Sequence, residues 1–312
     1  MTERPIEASW LDLRYHADDR ARQRSLPLVR DLAEHLLANA HPGPVPGTSQ
    51  KPVPQAPGLA VVDVGAGTGA NLRWLGPHLD QALGSALAQD WALLDHDAVL
   101  LEAVRGAAAP WLRRSIRHTG SVATLGDLLQ TTGHPRLVSC SALLDLLTAS
   151  QIDDLVAATV RGADAALWSL SVTGDVSFDP GHADDALLVQ RFNSDQQRGT
   201  TTATGPHFLA GPDGWRLAER AFIDRGWRVS LARTPWILGP NDAPMVARLL
   251  TERAQAALKT TDVSADPRAI RTWLALRLDQ AERGQLEVRV DHQDLLALPP
   301  KSISEQTSSP SW

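Results

Sequence analysis

Apolar positions along the chain fall into two periods. Leu26, Val29, Leu32 and Leu36 recur at three- and four-residue steps, which predicts helix across residues 9–39 with one face to bury. From residue 59 onward short apolar runs alternate with helical stretches. Strands are expected at Leu59–Val64, Trp91–Leu94, Ser115–Thr119, Leu137–Cys140 and Ala165–Val172, and helices at Asn71–Leu79, Ala98–Arg105, Pro110–Arg114 and Ile152–Val160. Repeated β-α order favours a doubly wound, mostly parallel sheet. After Gly174 the pattern gives way to a polar loop (174–210) and a helix from Pro212 to Arg225. Strands at Trp227–Ala232 and Glu287–Val290 then flank a helical insertion, residues 243–283. Residues 41–58 hold six prolines and three glycines, a composition that forms neither helix nor ladder, and residues 299–312 are polar and unpatterned. The expected organisation is an N-terminal helical lid (1–40), a linker or loop (41–58), one α/β domain (59–298) and a disordered tail.

Composition excludes several classes. Lys and Arg number 30 against 36 Asp and Glu, a net charge of −6 that divides as −2 over residues 1–150 and −4 over 151–312. No basic stripe is available to neutralise phosphates, so a nucleic acid is a poor partner. At 43% hydrophobic and 21% charged, the chain has the material for a core. The single cysteine, Cys140, forbids an internal disulfide, no metal-ligand spacing is present, and neither a signal peptide nor a membrane span is readable. These features are those expected of a soluble, cytoplasmic protein without a metal.

The most informative stretch is Val61-Val62-Asp63-Val64-Gly65-Ala66-Gly67-Thr68-Gly69-Ala70-Asn71, a buried strand, alternating glycines and a helix start. Glycines permit positive φ and close approach of a ligand, and a helix start offers N–H donors, so a nucleotide-type cofactor is the natural guest. Gly65, Gly67 and Ala70 also satisfy the dinucleotide fingerprint, so spacing alone leaves NAD open.

With Asp63 two residues before Gly65, Gly67 and Gly69, this stretch resembles the first motif of the class I S-adenosylmethionine-dependent methyltransferases. The resemblance implies a seven-stranded Rossmann-like sheet and S-adenosyl-L-methionine as cofactor. It places Asp63, Gly65, Ala66, Gly67, Gly69 and Asn71 at that cofactor. It implies an acid on the ribose hydroxyls at Asp95, beside His96, with Asp97 as the alternative acid or a helix cap. A turn at Gly120-Ser121 stands where the adenine contact is expected, without the family's acid. Ser139 and Cys140 would line the methionine portion, or serve only as small residues that allow close packing.

More loosely, the segments WLDLRYHADDRAR, SALLDL and PWILGP resemble a bacterial subgroup of unassigned substrate. On that likeness Arg14 or Arg22 of the lid would approach the cofactor's carboxylate. Asp145, His207 and His292 are the candidate bases by position, should the acceptor lose a proton. The acceptor itself is unidentified, with the acidic charge and the lid favouring a small molecule. Two rival readings are a catalytically silent, cofactor-binding partner subunit and an NAD(P)-dependent oxidoreductase.

Overall fold

The computed structural model describes residues 7–39, 58–105, 108–133, 135–197, 199–202, 205–259 and 266–300, with backbone alone for 200–202 and 205–207. The proline-rich segment and the C-terminal tail of the sequence reading therefore lie outside the described residues, apart from their edges. Helices in chain order are α1 (Ala8–Arg22), α2 (Leu26–Asn39), α3 (Ala70–Leu83), α4 (Ala98–Glu102), α5 (Leu125–Gln130), α6 (Ala149–Gly162), α7 (Asp185–Gln196), α8 (Gly214–Asp224), α9 (Ala243–Lys259) and α10 (Pro267–Glu282). Strands are β1 (Gly58–Val64), β2 (Ala88–Asp95), β3 (Leu112–Thr119), β4 (Arg136–Ser141), β5 (Ala165–Asp179), β6 (Gly199–Thr202), β7 (Gly205–Phe208), β8 (Arg228–Arg233), β9 (Trp236–Leu238) and β10 (Glu287–Leu298).

The main sheet follows the order β3-β2-β1-β4-β5-β10-β8, seven strands, with β9 added to the free half of β10. Strands β1 to β5 pair in parallel, and β10 runs antiparallel to both β5 and β8. This is the expected α/β, mostly parallel, doubly wound architecture. After β3 the chain returns to lay β4 against the other side of β1, which makes a topological switch point where ligands of such sheets bind beyond the carboxyl ends of the strands.

Strand period sorts the core into two faces. Leu59, Val61, Leu137, Ala165 and Leu167 meet α2 and α3 through Leu28, Leu32, Leu36, Leu72, Leu75 and Leu79. Val62, Val64, Val138, Cys140 and Trp168 meet α5, α6 and α8. On the first face the next residue toward the carboxyl end is polar in each of three strands: Asp63, Ser139 and Ser169, all buried. A third cluster joins the protruding halves of β5 and β10 to α1, α7, α9 and α10.

Several local expectations are corrected. The helix over 9–39 is broken at residues 23–25 by a 3₁₀ turn in which Ser25 Oγ donates to Arg22 O at 2.8 Å. Residues 112–114 are strand rather than helix, because β3 is a sheet edge whose arginines face solvent and leave no apolar alternation to read. The expected loop 174–210 contains the end of β5, helix α7 and the β6–β7 hairpin. The last strand extends to Leu298, and β2 begins at Ala88.

Because α2 is part of a core layer, Leu32→Ala, at a site with 0% exposure, is expected to cost about 2–5 kcal/mol in a single cooperative urea transition. A near-neutral change would mean that α2 is not integral to the domain.

Candidate functional site

The glycine loop is held by its own backbone and by one carboxylate. Gly65 N and Ala66 N donate to Leu94 O at 2.8 and 3.1 Å, and Gly69 N donates to Ala66 O at 2.9 Å. Gly67 N donates to Asp95 Oδ2 at 2.7 Å, while Asp95 Oδ1 accepts from Asp97 N at 2.9 Å. Gly65 and Gly67 have φ of 71° and 52°, and a Cβ at Gly65 would stand 2.9 Å from Leu143. At Gly67 a Cβ would stand 3.2 Å from Leu11, so α1 sits directly over the loop. Asp97 is a helix cap, accepting from Val99 N and Leu100 N. His96 is largely exposed, with Nδ1 3.3 Å from Asp95 Oδ1.

Beneath the loop lies a buried polar network. Asn71 Nδ2 donates to Asp63 Oδ1 at 2.6 Å and to Ser139 Oγ, and β1–β4 register sets Asp63 opposite Ser139. Arg22, at the end of α1, donates to Asn71 Oδ1 at 2.7 Å and Ser169 Oγ at 3.4 Å, with its guanidinium 3.9 Å from the Trp74 ring centroid. Asp294 accepts from Leu170 N at 2.7 Å and Thr234 Oγ1 at 2.6 Å. Burial pushes the Asp63 carboxyl up to about 7, opposed by Asn71, Arg22 and Ser139, and leaves its Oδ2 without a partner. Burial likewise raises Asp294 and lowers Arg22 from their ordinary values.

A second group lies where α1 crosses the strand ends. Arg14 pairs with Asp18 at 2.8 Å and lies 5.2 Å from the Trp236 ring centroid, and Trp236 Nε1 donates to Asp18 at 2.9 Å. Trp236 in turn packs on His292 with ring centroids 4.5 Å apart. Burial and the nearby positive charge of Arg14 push His292 down to about 3, so it is a neutral imidazole of low basicity at pH 7. Burial pushes Asp145 up to about 6, with Arg14 opposing the rise.

Asp63, Gly65, Ala66, Gly67, Gly69, Asn71, Asp95 and Ser139 are thus brought together around the switch point, and Arg14, Asp145 and His292 around its rim. Three of the candidate residues are not part of this buried network. Cys140 packs into the opposite core face, where burial raises its thiol well above its ordinary value, so it is a packing residue. Ser121 is exposed and caps a 3₁₀ turn, and His96 faces solvent. The side chain of His207 lies outside the described residues. Trp74, Ser169 and Asp294 were missed: each reads as ordinary core or strand until the sheet aligns it with Arg22. Among the described residues no group of three His, Cys, Asp or Glu side chains could hold a metal ion. None of the helices there is long and apolar enough to cross a membrane.

No family model matches the chain, and no curated protein matches it. Solved structures do. A cyclopropane-fatty-acyl-phospholipid synthase-like protein from Lactobacillus casei is 14% identical, with 89% of this chain and 92% of that one covered and a TM-score of 0.41. Magnesium protoporphyrin IX methyltransferase from Synechocystis, with bound SAM, is 10% identical over 96% and 87% of the two chains, with a TM-score of 0.38. The cyclopropane synthase MmaA2 from Mycobacterium tuberculosis is 13% identical over 78% and 79%, with a TM-score of 0.37. Likeness at this level carries no functional weight of its own; the strand order and the side chains at the switch point carry it.

The raised Asp63 carboxyl predicts a pH dependence of stability. Its folded value, about 7, lies above that of the unfolded chain, so its contribution is fully present below about pH 4 and is lost as pH rises through 7. Asp63→Asn is expected to gain on the wild type by up to about 1.4 kcal/mol per pH unit across that window, measured by urea unfolding at several pH values. Parallel profiles for the two proteins would refute the assignment.

Proposed function

We propose that this chain is an S-adenosylmethionine-dependent methyltransferase acting on a small-molecule acceptor. The observation that carries this reading is the fate of the loop amides. A diphosphate cofactor needs free N–H groups at the first turn. Here the amides of residues 65, 66, 67 and 69 are all bonded within the fold, one of them to Asp95, and the buried Asp63 carboxylate lies below. That environment repels a diphosphate and suits a cation carrying a ribose.

The residues fit such a guest. A carboxylate has about four lone-pair sites, so Asp95 can hold the loop and still accept from ribose hydroxyls. The glycines let the cofactor lie against the backbone, and Asp63, whose Oδ2 has no partner and whose carboxyl burial pushes up to about 7, would be held ionised by the cofactor's ammonium end. Arg14 of α1 stands at the rim, where its guanidinium would approach the cofactor's carboxylate.

S-adenosylmethionine supplies a methyl group on a sulfonium, and its transfer neutralises charge, so the protein contributes alignment and exclusion of water. Leu11, Leu143 and Trp236 exclude water over the strand ends. Asp145 is the base of the rim: it is ionised at neutral pH and still basic enough to hold an acceptor's proton, whereas His292 is too weak a base.

Titration calorimetry on the full chain tests the reading. S-adenosylmethionine is expected to bind, Asp95→Ala to weaken it more than about tenfold, and NAD and NADP not to bind. Absence of S-adenosylmethionine binding, or nicotinamide binding in its place, overturns the proposal. With an acceptor that loses a proton, kcat/KM is expected to rise with pH through about 6, and Asp145→Asn to abolish that rise.

A further inference from the structure

Among the described residues, the buried arginines have hydrogen-bond acceptors, with one exception. Arg277, with 0% exposure, donates to both oxygens of Asp185 at 2.6 Å and to Pro180 O at 2.7 Å. Arg22 has Asn71 and Ser169. Arg253, on α9, is 8% exposed, and its Nε and Nη1 are buried with no acceptor. No carboxylate among the described residues pairs with it. Its guanidinium lies over the face of Phe192, on α7, with the ring centroid 4.1 Å from Cζ.

An arginine in this position is costly. Taking a guanidinium out of water costs several kcal/mol, and a ring face returns only a fraction of that. Leu249, Leu250, Ala254 and Ala257 of the same helix are apolar and buried, so an apolar residue at 253 would pack there without the penalty. The location supplies a reason for the charge. Arg253 lies within electrostatic range of His292, as Arg14 does, and Arg14 also acts on Asp145. Arg253 thus shares one neighbour, His292, with Arg14 of α1.

We propose that Arg253 binds an anionic group of the methyl acceptor, a carboxylate or phosphate oxyanion, at the seam between α7 and α9 beside His292. The planar fork of the guanidinium matches either group with two parallel hydrogen bonds, and Phe192 holds its plane. Calling the ligand an acceptor rests on the methyltransferase reading; the oxyanion site itself does not.

The test uses the full chain in chloride-free buffer, titrated separately with inorganic phosphate and with benzoate, as wild type and as Arg253→Met. At least one oxyanion is expected to bind the wild type at one site and the Arg253→Met variant more than about tenfold more weakly. The preference between the two probes distinguishes phosphate from carboxylate. Without anion the methionine variant is expected to have the higher Tm, because an uncompensated buried charge has been removed. Binding of S-adenosylhomocysteine is expected to be unchanged by the substitution. If the methionine variant does not fold, Arg253→Gln serves the same comparison. Equal oxyanion affinity in wild type and variant, or no binding of either probe to the wild type, overturns the proposal. Loss of oxyanion binding with Arg253, in a chain that never binds S-adenosylhomocysteine, would uphold the anion site and reject the methyltransferase reading.

Discussion

The guanidinium of Arg22 is the interaction on which the site depends. It is a buried cation at the end of α1, stacked on Trp74 of α3 and bonded to Asn71 of the same helix and Ser169 of β5. Asn71 passes the connection to Asp63 of β1 and Ser139 of β4. One charge thus ties α1, α3 and three adjacent strands together at the carboxyl edge of the sheet. Networks of this kind stabilise when complete and cost heavily when broken, since every member is out of water. Two carboxyls that act on it, Asp63 and Asp294, are both raised by burial, and Arg22 opposes the rise in each.

That network also sets what the glycine loop can hold. A strand, a glycine turn and a helix at a switch point occur wherever nucleotides bind to doubly wound sheets, and the fold by itself does not choose among them. Here the choice is made by the carboxylates beneath and beside the turn. Asp95 occupies the Gly67 amide, and the amides of Gly65, Ala66 and Gly69 bond to neighbouring carbonyls, so the turn is an electrostatically negative seat with ordinary backbone walls. Leu11 and Leu143 close over it, which makes α1 the gate of the site as well as the carrier of Arg14 and Arg22. Two open concavities lie elsewhere, one along β5 and α7 and one on α9.

The parallel half of the fold was legible in the sequence because its strands are buried on both faces and read as apolar runs ending at glycine or acid. Asp63, the glycines and Asp95 were legible for a related reason: polar residues and glycines at the end of such runs have few other uses. β3 was not fully legible, since an edge strand of arginines carries no apolar period. Nor was the region after Gly174, where β5 and β10 leave the sheet body and pair with each other at half-buried, mixed positions. Arg22 and Arg253 mark the same limit from another side. A charged residue on an amphipathic helix reads as solvent-facing, and only the packed structure shows one guanidinium enclosed by partners and the other enclosed without them.

The account's central claim is that a cationic, ribose-bearing cofactor lies on the 65–69 turn beneath α1. Hydrogen exchange by mass spectrometry, on the full chain with and without saturating S-adenosylhomocysteine, tests this most directly. Protection confined to the turn, to the segment after β2 around Asp95 and to α1 is the predicted result. Absence of protection at the turn, or protection confined to the groove along β5 and α7, would contradict it.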